Sequence, residues 1–231
     1  MLISLTSFIL KLIGKEYQLD KNLPFTFFLD FFWTRLIMLL RGIFFLRKFK
    51  VFMGSGVQIK GKRFLSLGQY ATLDDYSKII SYSSEGVNCG CRFKLGAYSI
   101  ISCTSHMSAL GKGVQIGDDV GISEFCYLGA AGGITIHNNV IIGQYVSFHS
   151  QNHNFQDKDK PIKLQGVTSQ GITLGEGVWV GAKVTFLDGA DIGANCVVAA
   201  GAVVKGTFPP NCVIAGVPAK IIKYIENSKA L

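Results

Sequence analysis

Residues 172–206 repeat in sixes. From Leu174 the hexads read LGEGVW, VGAKVT, FLDGAD, IGANCV and VAAGAV, followed by Val204. The first position is always apolar: Leu174, Val180, Phe186, Ile192, Val198 and Val204. The second is usually small (Gly175, Gly181, Gly193, Ala199), with Leu187 the exception, and the fifth is small or β-branched. A helix needs a period near 3.6 and a plain strand a period of 2. A strict six fits neither. It fits short strands joined by tight corners, with the first residue of each hexad turned inward. One coil cannot bury its own inner face, but stacked coils bury a continuous apolar column, which is a parallel β-helix.

The pattern reaches upstream. Ile116, Ile122, Leu128 and Ile134 lie six apart; the register then slips by two and resumes at Ile136, Ile142 and Phe148. Leu67, Leu73 and Ile79, then Leu95 and Ile101, extend it further. High glycine content, 27 of 231 residues, suits the many corners. The stretches VSFHSQNH (146–153), GVWVGAKVTFLDGADIGANCVVAAGAVV (177–204) and PPNCVIAGVPAKII (209–222) resemble the hexapeptide-repeat acyltransferases. The resemblance is to the galactoside/maltose acetyltransferase type and to the O-acetyltransferases of surface-polysaccharide synthesis. It implies an all-β solenoid, a left-handed parallel β-helix, over residues 51–206. N-terminal helices would precede it, and an extension over 207–231 would follow, ending in a short helix at IIKYI.

The net charge of +8 is unevenly placed. Residues 1–63 hold eleven Lys/Arg and three Asp/Glu, so the excess lies before the repeats and the remainder is balanced. Residues 1–22 carry a helical apolar pattern (Leu2, Leu5, Ile9, Leu12, Ile13), and 24–46 are long and apolar enough to span a bilayer. Asp30, Arg35 and Arg41 argue against a simple span. The expectation is a region, 1–50, that lies at a membrane interface or packs beneath the solenoid as a cap, with a bitopic anchor as the alternative. No nucleic-acid reader motif accompanies the basic charge, so no nucleic-acid partner is expected. The cysteines (89, 91, 103, 126, 196, 212) are scattered without zinc spacing, which points to a reduced, cytoplasmic protein. No leader cleavage site is evident.

Three interruptions break the hexads. SYSSEGVNCGCRFK (81–94) is expected to bulge out as a loop, and 106–113 form another break. Residues 154–171 are polar and contain Pro161, and a protruding loop of this length in a solenoid is usually functional. His153 closes the hexad FHSQNH just before that loop. A base there can take the proton of a hydroxyl attacking a thioester and return it to the departing thiolate. The resemblance places the catalytic base at His153. His149, four residues earlier, is the alternative base and a substrate contact. His106 and His137 read as ordinary surface histidines.

The resemblance further implies acetyl-CoA as co-substrate, without a metal, in a groove between neighbouring copies of a homotrimer. The backbone near Ala182 and Ala200 would hold the pantetheine arm, and Lys205 and Lys223 the distal phosphates. Trp179, in the V-W-V-G stretch, would wall the acceptor site. Ser123 falls where galactoside acetyltransferases carry an Asn. The acceptor implied is a sugar or glycan hydroxyl, in soluble or lipid-linked form. The competing readings are N-acetylation of an amino sugar, a metal protein of the γ-carbonic-anhydrase type, and a non-catalytic scaffold.

Overall fold

The computed structural model describes residue 20 and residues 22–226; the helical pattern expected over 1–22 falls almost wholly outside them. The chain winds as a left-handed parallel β-helix with three faces. Among the described residues the first face holds nine strands, from Phe52–Met53 up to Lys220–Tyr224; the second, from Gln58–Lys60 to Val203–Val204, and the third, from Leu65–Leu67 to Thr207–Phe208, hold seven each. Every neighbouring pair on these faces is parallel except the last on the first face.

The hexad governs this geometry position by position. First-position side chains form the core: Leu174, Val180, Phe186, Val198 and Val204 are fully buried, and Ile192 is almost so. Phe148 and Phe186 stack inside it with ring centroids 4.8 Å apart. The fifth position (Val178, Val184, Ala190, Cys196, Ala202) is buried too. The second position is small because coils touch there. A Cβ on Gly181 would stand 2.6 Å from the backbone nitrogen of Ala200, and one on Gly175 2.6 Å from that of Ala194.

The fourth position turns each corner in the left-handed region: Gly177, Lys183, Gly189, Asn195 and Gly201 all have φ between 55° and 82°. Glycine and asparagine tolerate this; bulky residues rarely do. Yet the corner from the first to the second face carries Tyr76, Tyr98, Phe125 and Tyr145 there, at φ of 57–60°. These four rings stack in a half-exposed ladder, 5.0 to 5.2 Å apart.

The strict period is local. From Trp179 to Val197 the first face advances 18 residues, three hexads, whereas from Gly121 to Ile141 it advances 20. The two additional residues sit in the Gly129–Gly133 corner, between Leu128 and the buried pair Ile134 and Ile136, and produce the register slip. The expected bulge over 81–94 does not form. Val87 and Cys89 are buried in a third-face strand, and Ser81 and Ser83 are buried at the corner. Their hydroxyls donate to the carbonyls of Lys60, Gly61 and Ser81, so the polar corner folds inward with its groups satisfied. The terminal helix is also overturned. Lys220–Tyr224 is a strand, antiparallel to Cys212–Ala215. The last parallel strand leaves an open sheet edge, and IIKYI covers it.

At the other end, the α-helix Phe25–Arg41 and the π-helical turn Gly42–Leu46 close the solenoid. Phe28, Phe31, Arg35, Met38 and Gly42 follow one helical seam toward the first coils. Phe28 and Met38 are buried, and the Arg35 guanidinium lies over the Phe52 ring at 4.8 Å and donates to Thr72 Oγ1 at 3.1 Å. Gly42 permits contact with the base, since a Cβ there would clash with the Val51 carbonyl. Leu46 and Val51 join the solenoid core. Within the described part of residues 1–50, the helix thus packs against the first coils.

Candidate functional site

Two loops leave the solenoid from the same edge, where the second face turns into the third. The edge displays one outward column in register: Ser102, Gly129, His149 and Leu187. Lys205 follows Val204 in the next coil and continues it. The His149 imidazole is exposed and lies 5.9 Å from the Tyr127 ring.

The larger loop begins directly after His149. Ser150 is fully buried; its hydroxyl donates to the Gly129 carbonyl at 2.8 Å and accepts from the Gly132 N–H at 2.9 Å. The chain then forms a two-residue strand, Asn152–His153, antiparallel to Val167–Thr168, with His153 opposite Val167. His153 is exposed. Gln165 ties the loop together: its amide donates to the carbonyls of Asp157 and Lys160 and accepts from the Asp157 N–H.

The loop is locked to the body by Asp188, a residue that the hexad reading passed over. Asp188 is 3 % exposed. Its Oδ1 accepts from the N–H groups of Gln170 and Gly171 at 2.8 and 2.9 Å, and its Oδ2 stands 3.5 Å from Asn152 Nδ2. One carboxylate thus holds both ends of the loop that carries His153. The available signal was its place in the third position of FLDGAD, a corner residue at the foot of the loop.

The second loop, 104–111, lies two coils below. Thr104 Oγ1 donates to the Tyr82 carbonyl and accepts from the Gly111 N–H. His106 Nδ1 is 2.7 Å from Ser108 Oγ. Ser105 Oγ donates to Gln151 Oε1 at 3.2 Å, which joins the two loops. His106, read as an ordinary surface residue, therefore stands on a loop tethered to the His149–His153 segment.

The other expected site residues divide into two groups elsewhere. Ser123, Ala182 and Ala200 lie at the corner between the first and second faces. The Gly201 N–H donates to the Ala182 carbonyl at 2.9 Å, so successive corners stack into a column with little side chain on it. Trp179 is 56 % exposed on the first face, where it pairs with Ile141 and Val197. Lys223 lies further up that face, opposite Val213. A single chain thus brings His149, His153 and Lys205 to one edge and sets Trp179 and Lys223 on a different face. His137 lies exposed at a third corner.

Five of the six cysteines are buried, and all six are free. Burial pushes the Cys103 thiol up to about 11 and raises those of Cys89 and Cys126 as well. These are packing residues, not nucleophiles. Among the described residues no three His, Cys, Asp or Glu side chains gather as a metal site.

Residues 171–206 match the family described as bacterial transferase hexapeptide, six repeats. The chain is 36% identical over 133 residues to the putative lipopolysaccharide biosynthesis O-acetyl transferase WbbJ of Escherichia coli K12, a match covering 54% of this chain and 68% of that protein. It is 36% identical over 95 residues to the galactoside O-acetyltransferase of the same organism, but spans only 45% of that enzyme's length. AntD, an N-acyltransferase from Bacillus cereus, shares the fold alone, at 16% identity and a TM-score of 0.50 over 77% of this chain and 81% of that one. With the hexads, the three-faced coil and these relatives in place, the chain belongs to the hexapeptide-repeat acyltransferase family.

Proposed function

We propose that this protein transfers an acetyl group from acetyl-CoA to a hydroxyl of a sugar in a surface polysaccharide or its precursor, with His153 as general base. The observation that carries this is the Asp188 lock, which fixes the loop bearing His153 against the edge where His149 and Lys205 also stand. The imidazole takes the proton as the acceptor oxygen attacks the thioester carbon. The tetrahedral intermediate collapses, the C–S bond breaks, and the thiolate recovers the proton from the imidazolium. Backbone N–H groups of the adjacent coil are the donors for the oxyanion. No acyl-enzyme is needed, in keeping with the buried cysteines. The six free thiols support a reducing compartment, the cytoplasm, where acetyl-CoA is at hand.

The division of the site residues supports a shared site. The His149–Lys205 column of one copy would face the Trp179–Lys223 column of the next, with acetyl-CoA in the groove between. The outward residues of the third face are polar throughout (Ser66, Asn88, Gln115, Thr135, Thr173, Asp191, Thr207), whereas the other two faces present Ile141, Trp179 and Tyr127. A closed ring of three copies, polar face outward, satisfies this arrangement.

The test uses labelled acetyl-CoA with nucleotide-sugars, lipid-linked oligosaccharides and amino sugars as acceptors. His153→Ala should lower turnover by roughly 10²–10⁴-fold with the fold intact. Mixing His153→Ala and Trp179→Ala chains after co-refolding should restore part of the activity, because one site in the mixed ring takes neither substitution. Full activity of His153→Ala would refute the base, no recovery in the mixture would refute the shared site, and transfer to amines alone would make this an N-acetyltransferase.

A further inference from the structure

The helix Phe25–Arg41 is apolar on two sides. Its inner seam, from Phe28 to Gly42, packs on the solenoid. Its outer seam runs Phe25, Leu29, Trp33, Leu36 and Leu40 and continues into Phe44, Phe45 and Phe49; all eight are exposed, and Trp33, Phe44, Phe45 and Phe49 are each at least 66 % so. A helix that needs only to cap a solenoid would be polar outside. One that is apolar on its outer side as well requires a second cover.

Basic side chains surround the lower end of this stripe. Arg47, Lys50, Lys60, Lys62 and Arg63 are exposed on the first coil and the turn beneath it. Three of them are fixed there by contacts of their own: Lys62 Nζ donates to the Phe45 carbonyl, Lys50 Nζ approaches Gln69 Oε1 at 3.5 Å, and the Arg63 guanidinium stacks on Phe64 at 4.6 Å. Asp30 is the sole acid on the helix. Large apolar side chains next to a dense cationic rim are complementary to an anionic bilayer surface, where acyl chains and phosphate head groups lie at adjacent depths. Among the described residues no helix is long and apolar enough to cross a membrane. The contact is therefore one of lying in the interface.

We infer that the outer seam of this helix and the basic rim of the first coil dock the protein on an anionic membrane surface. The cap and the membrane contact, alternatives in the sequence, are two faces of one element. This docking does not depend on the acyl-transfer reading: a protein that binds vesicles without transferring acetyl groups would retain it.

The test is flotation of the full chain with phosphatidylcholine vesicles, with and without phosphatidylglycerol. Flotation is expected with the anionic vesicles and should weaken as salt rises. Arg47→Ser with Lys50→Ser should weaken partition roughly 30-fold, about fivefold for each charge removed. Trp33→Ser with Leu36→Ser should weaken it at least as much, by removing apolar area on exposed positions that the fold does not need. Light scattering of the same variants separates the rival occupants. A parent chain that stays unbound to anionic vesicles, and whose oligomer falls apart on Trp33→Ser with Leu36→Ser, would show that a second copy covers the seam. A parent that binds only after residues 1–19 are removed would show that its own N-terminal segment does. Either result overturns the proposal, as would binding that ignores phosphatidylglycerol and both double substitutions.

Discussion

Asp188→Ala separates positioning from folding more cleanly than any other substitution at this site. The carboxylate accepts two backbone N–H bonds at 2.8 and 2.9 Å and faces the Asn152 amide at 3.5 Å. Charge-assisted hydrogen bonds of this kind contribute about 1.5–3 kcal/mol each, and the two share one oxygen, so their joint removal costs about 3–4 kcal/mol. That loss falls chiefly on the loop, because Asn152, Gln170 and Gly171 stand at its two ends, where it leaves and rejoins the β-helix. Lys158 and Lys163 lie within the loop and are exposed, so limited trypsinolysis there should accelerate sharply while the body resists. Turnover should fall by roughly 10²-fold, the usual consequence of about 1 Å of misplacement of a reacting group, with KM for acetyl-CoA little changed. Asp188→Asn keeps an oxygen for both N–H groups, and the Asn152 amide can turn to meet its NH2, so most of the turnover should return. Combining Asp188→Ala with His153→Ala should lower turnover no further than His153→Ala alone, because the first change acts through the second residue. Unchanged cleavage and unchanged turnover in Asp188→Ala would refute the lock; fully additive losses would refute its connection to His153.

Two further predictions concern the core. The Ser77 hydroxyl is buried without a hydrogen-bond partner among the described residues, at a position where other coils place Val146, Val184 or Ala202, so Ser77→Ala should raise unfolding free energy by about 1 kcal/mol in urea titrations; a loss of stability would show that the hydroxyl has a partner after all. The raised thiols of Cys89, Cys103 and Cys126 keep protons that the unfolded chain releases above about pH 8.5, so their contribution is whole below that pH and declines as pH rises toward 11, where the Cys103 thiol titrates. Melting temperatures of the parent should drop across that window, more than those of Cys103→Ala measured against its own value at pH 7; parallel curves would refute the assignment.

The inward column was legible because a period of six leaves one residue in each strand with nowhere to go but the core. The reason for small second positions and the left-handed fourth position was not, since both arise from coil-on-coil contact rather than from the hexad itself. Lys183 and the four aromatic corner residues look like ordinary surface choices until their φ angles are known. IIKYI reads as a helix from apolar residues spaced at 221, 222 and 225, and only the open edge at Cys212–Ala215 makes it a strand. Similarly, 81–94 reads as a loop because it breaks the register, and the contacts that fold it inward, Ser81 to the Lys60 and Gly61 carbonyls and Ser83 to the Ser81 carbonyl, become visible only once the coils stack. The proposed base, His153, was marked in the sequence by its place at the end of a regular hexad just before the polar loop. Asp188 and the 104–111 loop became meaningful only through contacts to residues 18 and 46 positions away.

A parallel β-helix is also a measuring rod. His149 stands four strand spacings above Lys60 in the register of the second face, about 19 Å at about 4.8 Å per coil. If the helix end sits on a bilayer as proposed, the edge that carries His149 and the loop of the proposed base His153 would stand at a set height above the lipid. On the proposed acceptor, a sugar attached directly to a lipid carrier would lie too low to reach it, and a unit several residues along the glycan would stand at the right level. The number of coils beneath the histidine would then select which unit of a growing chain is acetylated, without any side chain reading the units in between. Inserting or deleting one coil below the loops would move the modification by roughly one sugar.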